Sequence, residues 1–320
     1  MKKLTTPLRS LAAVAFSVLV LHASPATADY DFQLVSPPGA LFSQTFGVNN
    51  AGTVTGGADD GANDFSFTYD MKSGEYTIID YDTSLLEISN SGVMVGDLDN
   101  SCAIRDKKGN VTLFTPPSAA QYPLCQARGI NSSGKVSGFQ RGDVQGGGWI
   151  GFVYDPQRGT FEEFLPSSQT FAHAINARGQ IAGSTFLDAD AAYPGSPPGR
   201  YGYVREEDGT VKNFEITQAV PGQTRARGIS ESGLVAGFYS APPFFETKSF
   251  VTTLSKGAAF DSVTLDDDEV IFRSPCNPDQ PSPGPEYELF TDMFASQVRN
   301  DGVVVGSCVD IYIDFSAPSG

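Results

Sequence analysis

Apolar and polar residues alternate along most of the chain, and glycine-centred turns interrupt the alternation again and again. Six segments share one pattern: a β-branched residue, a glycine four positions later, and a second glycine four positions after that. The segments begin at Val48, Ile88, Ile130, Ile175, Ile229 and Val298. Short alternating runs bounded by tight turns predict β-strands, and no helical periodicity is found after residue 28.

Each segment predicts a β-hairpin. The β-branched residue ends one strand, and Asn or Ser follows it in five of the six segments, where its side chain can bind the local backbone and start a turn. The first glycine is predicted to take the left-handed conformation at Gly52, Gly92, Gly134, Gly179, Gly233 and Gly302. The second glycine is predicted at a bulge or a crowded backbone at Gly56, Gly96, Gly138, Gly183, Gly237 and Gly306.

A second hairpin follows in most units, as in residues 151–164, and residues 249–265 fit this pattern more loosely. Each unit then has four short strands, and the first glycines stand 40, 42, 45, 54 and 69 residues apart, whereas about 40 to 50 residues is typical of a propeller blade. The Pro-rich stretch 274–285 is interpreted as an inserted loop in the longest interval. The sixth unit stops after a third strand predicted at residues 308–315, and residues 31–35 are predicted to add its fourth. The sequence therefore predicts an all-β, six-bladed β-propeller with four-stranded antiparallel blades, the last blade closed by the N-terminal strand.

The glycine phrase, followed by a small residue and an aromatic one in the next strand, resembles the bacterial extracellular repeats of the HAF family. The small–aromatic pairs are Ser66-Phe67, Gly151-Phe152, Gly202-Tyr203 and Ser249-Phe250, and the second unit has Cys102-Ala103 instead. The histidine of the family tripeptide is absent from all five places. The resemblance implies export and a repeat scaffold, and it implies no catalytic residue.

Residues 1–28 have the order of a secretory signal peptide: a basic start, an apolar run and a small-residue cleavage site. Cleavage after Ala28 leaves residues 29–320 as one predicted propeller domain, secreted or periplasmic, monomeric and without a membrane span. The full chain carries a net charge of −16, and the signal peptide removes three basic residues. Such an acidic chain is not expected to bind nucleic acid.

Four cysteines remain after cleavage, and export favours disulfides. Proximity along the chain predicts the pairs Cys102–Cys125 and Cys276–Cys308, with free buried thiols as the open alternative.

Loop lengths separate the two faces of the predicted propeller, because the hairpin turns are tight while the other connections are long and variable. Long loops on a rigid scaffold commonly carry binding. Aromatic residues in these loops are candidates for contacts with a ligand, in particular Trp149, Tyr193 and Phe244. The alternative is that these rings pack in small cores of their own loops.

A cationic sector is predicted at the channel mouth. Two residues before the β-branched anchors of units three, four and five stand Arg128, His173 and Arg227. Three adjacent blades would place these side chains around one sector of the channel, where they could bind a carboxylate or phosphate. The alternative is that they pair with acids of neighbouring blades.

The residue inventory predicts no catalytic residue, no cofactor and no metal site, with calcium binding by acidic loops left open. The function that follows is a binding or interaction module whose long-loop face takes a glycan, a peptide or an extracellular protein. One alternative is a polysaccharide hydrolase or lyase that uses paired carboxylates, and another is a purely structural surface protein. An enzyme is expected to show two or more carboxylates with perturbed protonation in one deep pocket. A binder is expected to show an aromatic-lined concavity without such a pair, and a structural protein is expected to show neither.

Overall fold

A computed structural model gives the fold of the chain. It describes residues 12–22, 30–80, 84–119, 124–142, 148–165, 167, 169–242, 246–254, 260–265, 270–271 and 287–314. Within these residues no helix has the length and apolar character that a bilayer span requires.

The described residues form twenty-five β-strands. Two strands precede the first repeat: β1 (Ala12–His22) and β2 (Tyr30–Val35). The first repeat gives β3 (Phe42–Val48), β4 (Thr53–Asp59), β5 (Asp64–Asp70) and β6 (Tyr76–Asp80). The second gives β7 (Ser84–Ile88), β8 (Met94–Leu98), β9 (Ser101–Arg105) and β10 (Val111–Phe114). The third gives β11 (Cys125–Ile130), β12 (Val136–Arg141), β13 (Trp149–Asp155) and β14 (Thr160–Phe164).

The remaining repeats are less regular. The fourth gives β15 (Gln169–Ile175), β16 (Ile181–Leu187), β17 (Gly199–Arg205) and β18 (Val211–Ile216). The fifth gives β19 (Thr224–Ile229), β20 (Val235–Ala241), β21 (Glu246–Thr252), β22 (Phe260–Val263) and β23 (Val270–Ile271). The sixth gives β24 (Tyr287–Val298) and β25 (Val304–Asp314).

The fold is an all-β propeller that contains five four-stranded antiparallel sheets. We number the sheets by repeat: sheets 1, 2 and 3 hold β3–β6, β7–β10 and β11–β14 in order. Sheet 4 holds β15–β18, with β22 added to its outer edge, sheet 5 holds β19–β21 and β23, and sheet 6 has the order β24-β25-β1-β2. Each sheet contacts the next, and strands of sheet 6 contact β3 of sheet 1. Buried apolar side chains fill the spaces between neighbouring sheets, for example Val35, Val303 and Val305 against sheet 1.

The first glycine of every repeat takes the left-handed conformation, as predicted. Its φ lies between 76° and 96° at all six positions. In the first, third and fourth repeats an asparagine stands three residues before this glycine, and its side chain bonds both the turn and the neighbouring sheet. Asn131 Oδ1 accepts hydrogen bonds from the backbone N–H groups of Ser133 and Lys135, while its Nδ2 donates to the carbonyl of Asn176 in the next sheet. Asn49 and Asn176 bond in the same way, so the turn residues also join the sheets to one another.

The second glycine of every repeat lies opposite a β-bulge in the first strand of its sheet. The register shifts by one residue in β3, β7, β11, β15, β19 and β24. In sheet 3, a Cβ added to Gly138 would lie 2.2 Å from the carbonyl oxygen of Gln126, so only glycine fits. The prediction of a crowded backbone at this position is confirmed.

Sheet 6 differs from the prediction. Residues 308–315 were expected to form a separate third strand, but Val304–Asp314 is one continuous strand, β25, because no turn signal interrupts it. The third strand is instead β1, which pairs with β25 on one side and with β2 on the other. The N-terminal strand β2 therefore belongs to the same sheet as the last strand of the chain, and β1 lies within residues 1–28.

The fifth repeat also departs from the prediction, which placed a second hairpin within residues 249–265. Phe260–Val263 crosses to sheet 4 and pairs in parallel with β18. The edge place in sheet 5 is taken by Val270–Ile271. Parallel pairing removes the need for a tight turn after β21, which explains why the hairpin pattern is weak there.

One predicted disulfide is confirmed. Cys102 and Cys125 are bonded, and the bond ties the third strand of sheet 2 to the first strand of sheet 3. Cys308 also takes part in a disulfide. Its predicted partner, Cys276, lies outside the described residues.

Candidate functional site: the central cavity

The sheets surround a central cavity of about 460 Å³. The bulge in each first strand re-aims one side chain toward this cavity, because an extra residue reverses the alternation of the strand. The six bulged residues all line it: Phe46, Leu86, Arg128, His173, Arg227 and Ser296. In three of these strands the residue two positions earlier also lines the cavity, namely Gln44, Ser84 and Gln126. The mouth of the cavity therefore lies on the side of the long connections.

Glu87 forms the floor of the cavity. It also lines a second cavity of about 60 Å³ on the side of the tight turns, so it separates the two spaces. Gln297 Nε2 donates to Glu87 Oε2 at 2.8 Å, and the Ile88 N–H donates to Oε1 at 2.9 Å. Burial raises the pKa of Glu87 to about 8, although both hydrogen bonds oppose the shift. At neutral pH this carboxyl group is therefore mostly protonated.

The predicted cationic sector is present on one wall of the cavity. Arg227 Nη1 lies 3.1 Å from His173 Nδ1. Because a guanidinium can only donate, Nδ1 must accept this hydrogen bond, and the imidazole is neutral. Burial and then the charge of Arg227 lower the pKa of His173 well below its usual value, which agrees with this assignment. His173 thus orients Arg227 without adding charge.

Aromatic faces hold the arginines in place. The guanidinium of Arg128 lies 5.6 Å from the ring centroid of Phe139, and that of Arg227 lies 5.3 Å from the centroid of Phe238. Both contacts lie within the range of cation–π attraction. Arg128 also donates from Nε and Nη2 to Gln126 Oε1, at 3.2 and 2.6 Å. These contacts fix the direction of the side chains, and no acidic side chain among the described residues is in hydrogen-bond contact with either guanidinium.

Asp97 is the carboxylate whose charge acts on this sector. It lines the same cavity, and its charge favours the protonated form of Arg128. Burial nevertheless lowers the pKa of Arg128 to about 10 and raises the pKa of Asp97. For Arg227, burial and then the charges of Arg128, Arg225 and Arg200 lower the pKa to about 9. None of the ion pairs between described residues involves Arg128 or Arg227, so the acid-paired alternative has no direct contact in its favour there.

Two further arginines lie near this wall, and sequence reasoning missed both. Arg225 lies over Phe238 at 5.6 Å and Arg200 over Phe171 at 4.5 Å. Both charges lower the pKa of His173. Arg225 stands two residues before Arg227 in β19, so period-two alternation could have placed it on the same side. Arg200 begins β17 and carries no repeat signal.

Of the candidate aromatic residues of the loops, Trp149 and Tyr193 are not among the described residues that line the central cavity. The ring of Trp149 packs against Phe139 and Phe171, with centroids 5.4 and 5.7 Å away. Tyr193 Oη donates to Glu215 Oε2 at 3.1 Å, and its ring packs against Phe260. These contacts favour the alternative in which the rings complete local cores. Phe244 lies outside the described residues.

Among the residues that the structure describes, no three His, Cys, Asp or Glu side chains gather into a metal-binding group. In the acidic segment 58–64, Asp60 Oδ1 accepts hydrogen bonds from the backbone N–H groups of Ala62 and Asn63. This carboxylate therefore shapes its own turn.

No family model and no curated protein matches the sequence. The fold is similar to TolB from Acinetobacter baumannii, with a TM-score of 0.48 and 14% identity over 75% of this chain and 61% of TolB. It is also similar to a streptogramin B lyase, with a TM-score of 0.43 and 12% identity over 92% of this chain and 98% of the lyase. An oligogalacturonate lyase solved with manganese has a TM-score of 0.42 and 11% identity over 97% of this chain and 99% of that enzyme. At such low identity the similarity concerns the fold and not the site.

Proposed function

We propose that the protein is an exported binding module that holds an anionic group of an extracellular ligand in its central cavity, at the long-loop face. A glycan, a peptide or a protein can each present such a group. Arg227 carries the proposal: it is aimed into the cavity by a bulge, oriented by His173 and bonded to no carboxylate among the described residues. A buried charge without a partner is costly, and a bound anion removes that cost.

The test is binding by the double variant Arg128→Ala, Arg227→Ala. Mature protein is applied to arrays of acidic and neutral glycans and peptides, and hits are measured by calorimetry at two salt concentrations. We expect acidic ligands to lose at least tenfold in affinity in the variant. The matched control is Arg158→Ala, which removes an exposed arginine paired with Asp155 in a turn outside the cavity. Unchanged binding by a folded double variant would end the proposal.

Export and a six-bladed ring belong to the same proposal. The signal-like residues 1–28, the disulfide and the HAF-type resemblance support export. The cyclic contacts between sheets support a ring of six blades. Cleavage after Ala28 removes β1, which lies between β25 and β2 in sheet 6, so β2 pairs directly with β25 and closes the last blade in the mature chain of residues 29–320. Intact mass of the exported protein is expected to correspond to a chain beginning at Asp29. Hydrogen exchange in that chain is expected to protect β2 and β25 together, and a rapidly exchanging β2 would contradict closure.

A second function is favoured by one observation. Glu87 and Asp97 line the same cavity, and burial raises the pKa of both carboxyl groups. Two carboxyls in such an environment can serve as acid and base in the cleavage of a polysaccharide. Binding is preferred because both Glu87 oxygens already accept hydrogen bonds from the protein. Release of reducing ends from acidic polysaccharides by the wild type, lost in both Glu87→Gln and Asp97→Asn, would establish the enzyme instead.

A further inference from the structure

A third cavity adjoins the central cavity on the side of Phe46 and Leu86, away from the arginines. It has a volume of about 430 Å³ and lies between sheets 1 and 2. We call it the side cavity. Its described lining combines apolar side chains with polar groups: Phe42, Phe46, Phe65, Leu85 and Leu86 supply the apolar part, and Gln44, Asp64, Ser66 and Ser84 the polar part.

The side cavity shares part of its wall with the central cavity. Four residues line both: Gln44, Phe46, Ser84 and Leu86. Phe46 and Leu86 are bulged residues, equivalent to Arg128, His173 and Arg227 of sheets 3, 4 and 5. One ring of equivalent positions is therefore apolar on one side and cationic on the other.

A single residue explains why the side cavity lies beside sheet 1. Gly57 follows the second glycine of its repeat, and the equivalent positions in the other sheets carry side chains, for example Asp97, Phe139 and Phe238. A Cβ added to Gly57 would lie 3.4 Å from the Phe46 ring and 4.0 Å from the carbonyl oxygen of Phe65. Those distances are ordinary contacts, so no steric reason excludes a side chain there. The glycine leaves open a space that the fold does not require.

We infer that the ligand is an organic anion with an apolar body, whose charged group binds Arg128 and Arg227 and whose body occupies the side cavity. This inference rests on the proposed function and adds the chemical class of the ligand. The polar and apolar halves of such a molecule match the two walls of the cavity.

The experiment uses isothermal calorimetry with phenylacetate, 3-phenylpropionate and 4-phenylbutyrate, and with the neutral 4-phenylbutyramide. We expect affinity to rise with length, by up to about fourfold for each added methylene that becomes buried. The amide is expected to bind at least tenfold more weakly than the acid of equal length. Equal affinity along the series, or equal binding of acid and amide, would overturn the inference.

The variant Gly57→Val fills the side cavity while keeping a residue suited to a strand. We expect it to abolish the dependence on length and to retain phenylacetate binding. Gly57→Ala gives a smaller filling should the valine variant not fold, and Thr68→Val on the neighbouring strand β5 is the matched control. If acids bind in an Arg227-dependent way but Gly57→Val changes nothing, the inference fails while the proposed function stands. If no acid of the series binds, the inference fails, and the array test with the double variant decides the proposed function separately.

Discussion

Tyr203 offers a sharp test of how the sheets pack. Its side chain is fully buried, and its hydroxyl has no hydrogen-bond partner among the described residues. The ring lies over Gly183, where an added Cβ would be 2.6 Å from the hydroxyl oxygen. Phe67, Phe152 and Phe250 lie over the equivalent glycines of sheets 1, 3 and 5. The site therefore accepts phenylalanine, and the hydroxyl is the part that does not fit.

We expect Tyr203→Phe to stabilise the protein. A buried hydroxyl without a partner costs about 1–3 kcal/mol, and the phenylalanine ring keeps the packing. A gain of about 1 kcal/mol is expected because some relaxation around the hydroxyl already reduces its cost, and this gain corresponds to roughly 2 °C in Tm. Urea unfolding followed by tyrosine and tryptophan fluorescence measures the change.

The matched control is Tyr201→Phe, two residues earlier in the same strand. Tyr201 is also fully buried, but its hydroxyl donates to the carbonyl of Pro197 at 2.8 Å. We expect the control to lose about 0.5–1.5 kcal/mol, since the carbonyl loses its partner. A destabilised Tyr203→Phe, or equal changes in both variants, would show that an unseen partner satisfies the Tyr203 hydroxyl.

Three further predictions concern stability. Asn131→Ser keeps the turn, because serine occupies the equivalent position in sheets 2 and 5, but it removes the hydrogen bond to the Asn176 carbonyl. Urea unfolding should show a loss of about 0.5–1.5 kcal/mol in the free energy of unfolding. No loss would contradict a role of Asn131 in joining the sheets. The double variant Cys102→Ser, Cys125→Ser removes the disulfide, whose cysteines are 23 residues apart. Urea unfolding should show a loss of about 3 kcal/mol in the free energy of unfolding, because the unfolded chain regains the entropy of the open loop. A loss below about 1 kcal/mol would count against this explanation. The pKa of Glu87 is about 8 in the folded protein against 4.5 for an ordinary glutamate, so between these pH values the folded state keeps a proton that the unfolded state has lost. The free energy of unfolding should therefore fall as pH rises from 4.5 to 8. Glu87→Gln should flatten that slope, and an equal slope in both proteins would refute the assignment.

The hairpins could be predicted because their chemistry is local. Gly134 needs the left-handed conformation within its own turn, and Gly138 needs the absence of a Cβ because Gln126 of the hairpin partner strand lies against it. The same spacing placed Arg128, His173 and Arg227 in the cavity, since each stands at a fixed distance from its glycines. Where a repeat keeps its pattern, the structure follows it.

The features that could not be predicted depend on distant parts of the chain. Glu87 and Gln297 are 210 residues apart and meet when the ring closes. Arg200 approaches the cationic wall through the packing of sheet 4, and no spacing marks it. The parallel strand Phe260–Val263 joins a neighbouring sheet, and a pattern read one repeat at a time cannot show that exchange.

The bulge in each first strand has a consequence for the history of such proteins. The bulge places one side chain per sheet at the central cavity, while the two glycines alone meet the conformational requirements of the hairpin. A single substitution at any of these six bulged positions changes the lining of the cavity and leaves the glycines of the hairpin in place. New ligand preferences can therefore arise by single substitutions, because each intermediate sequence keeps the residues that the hairpins require.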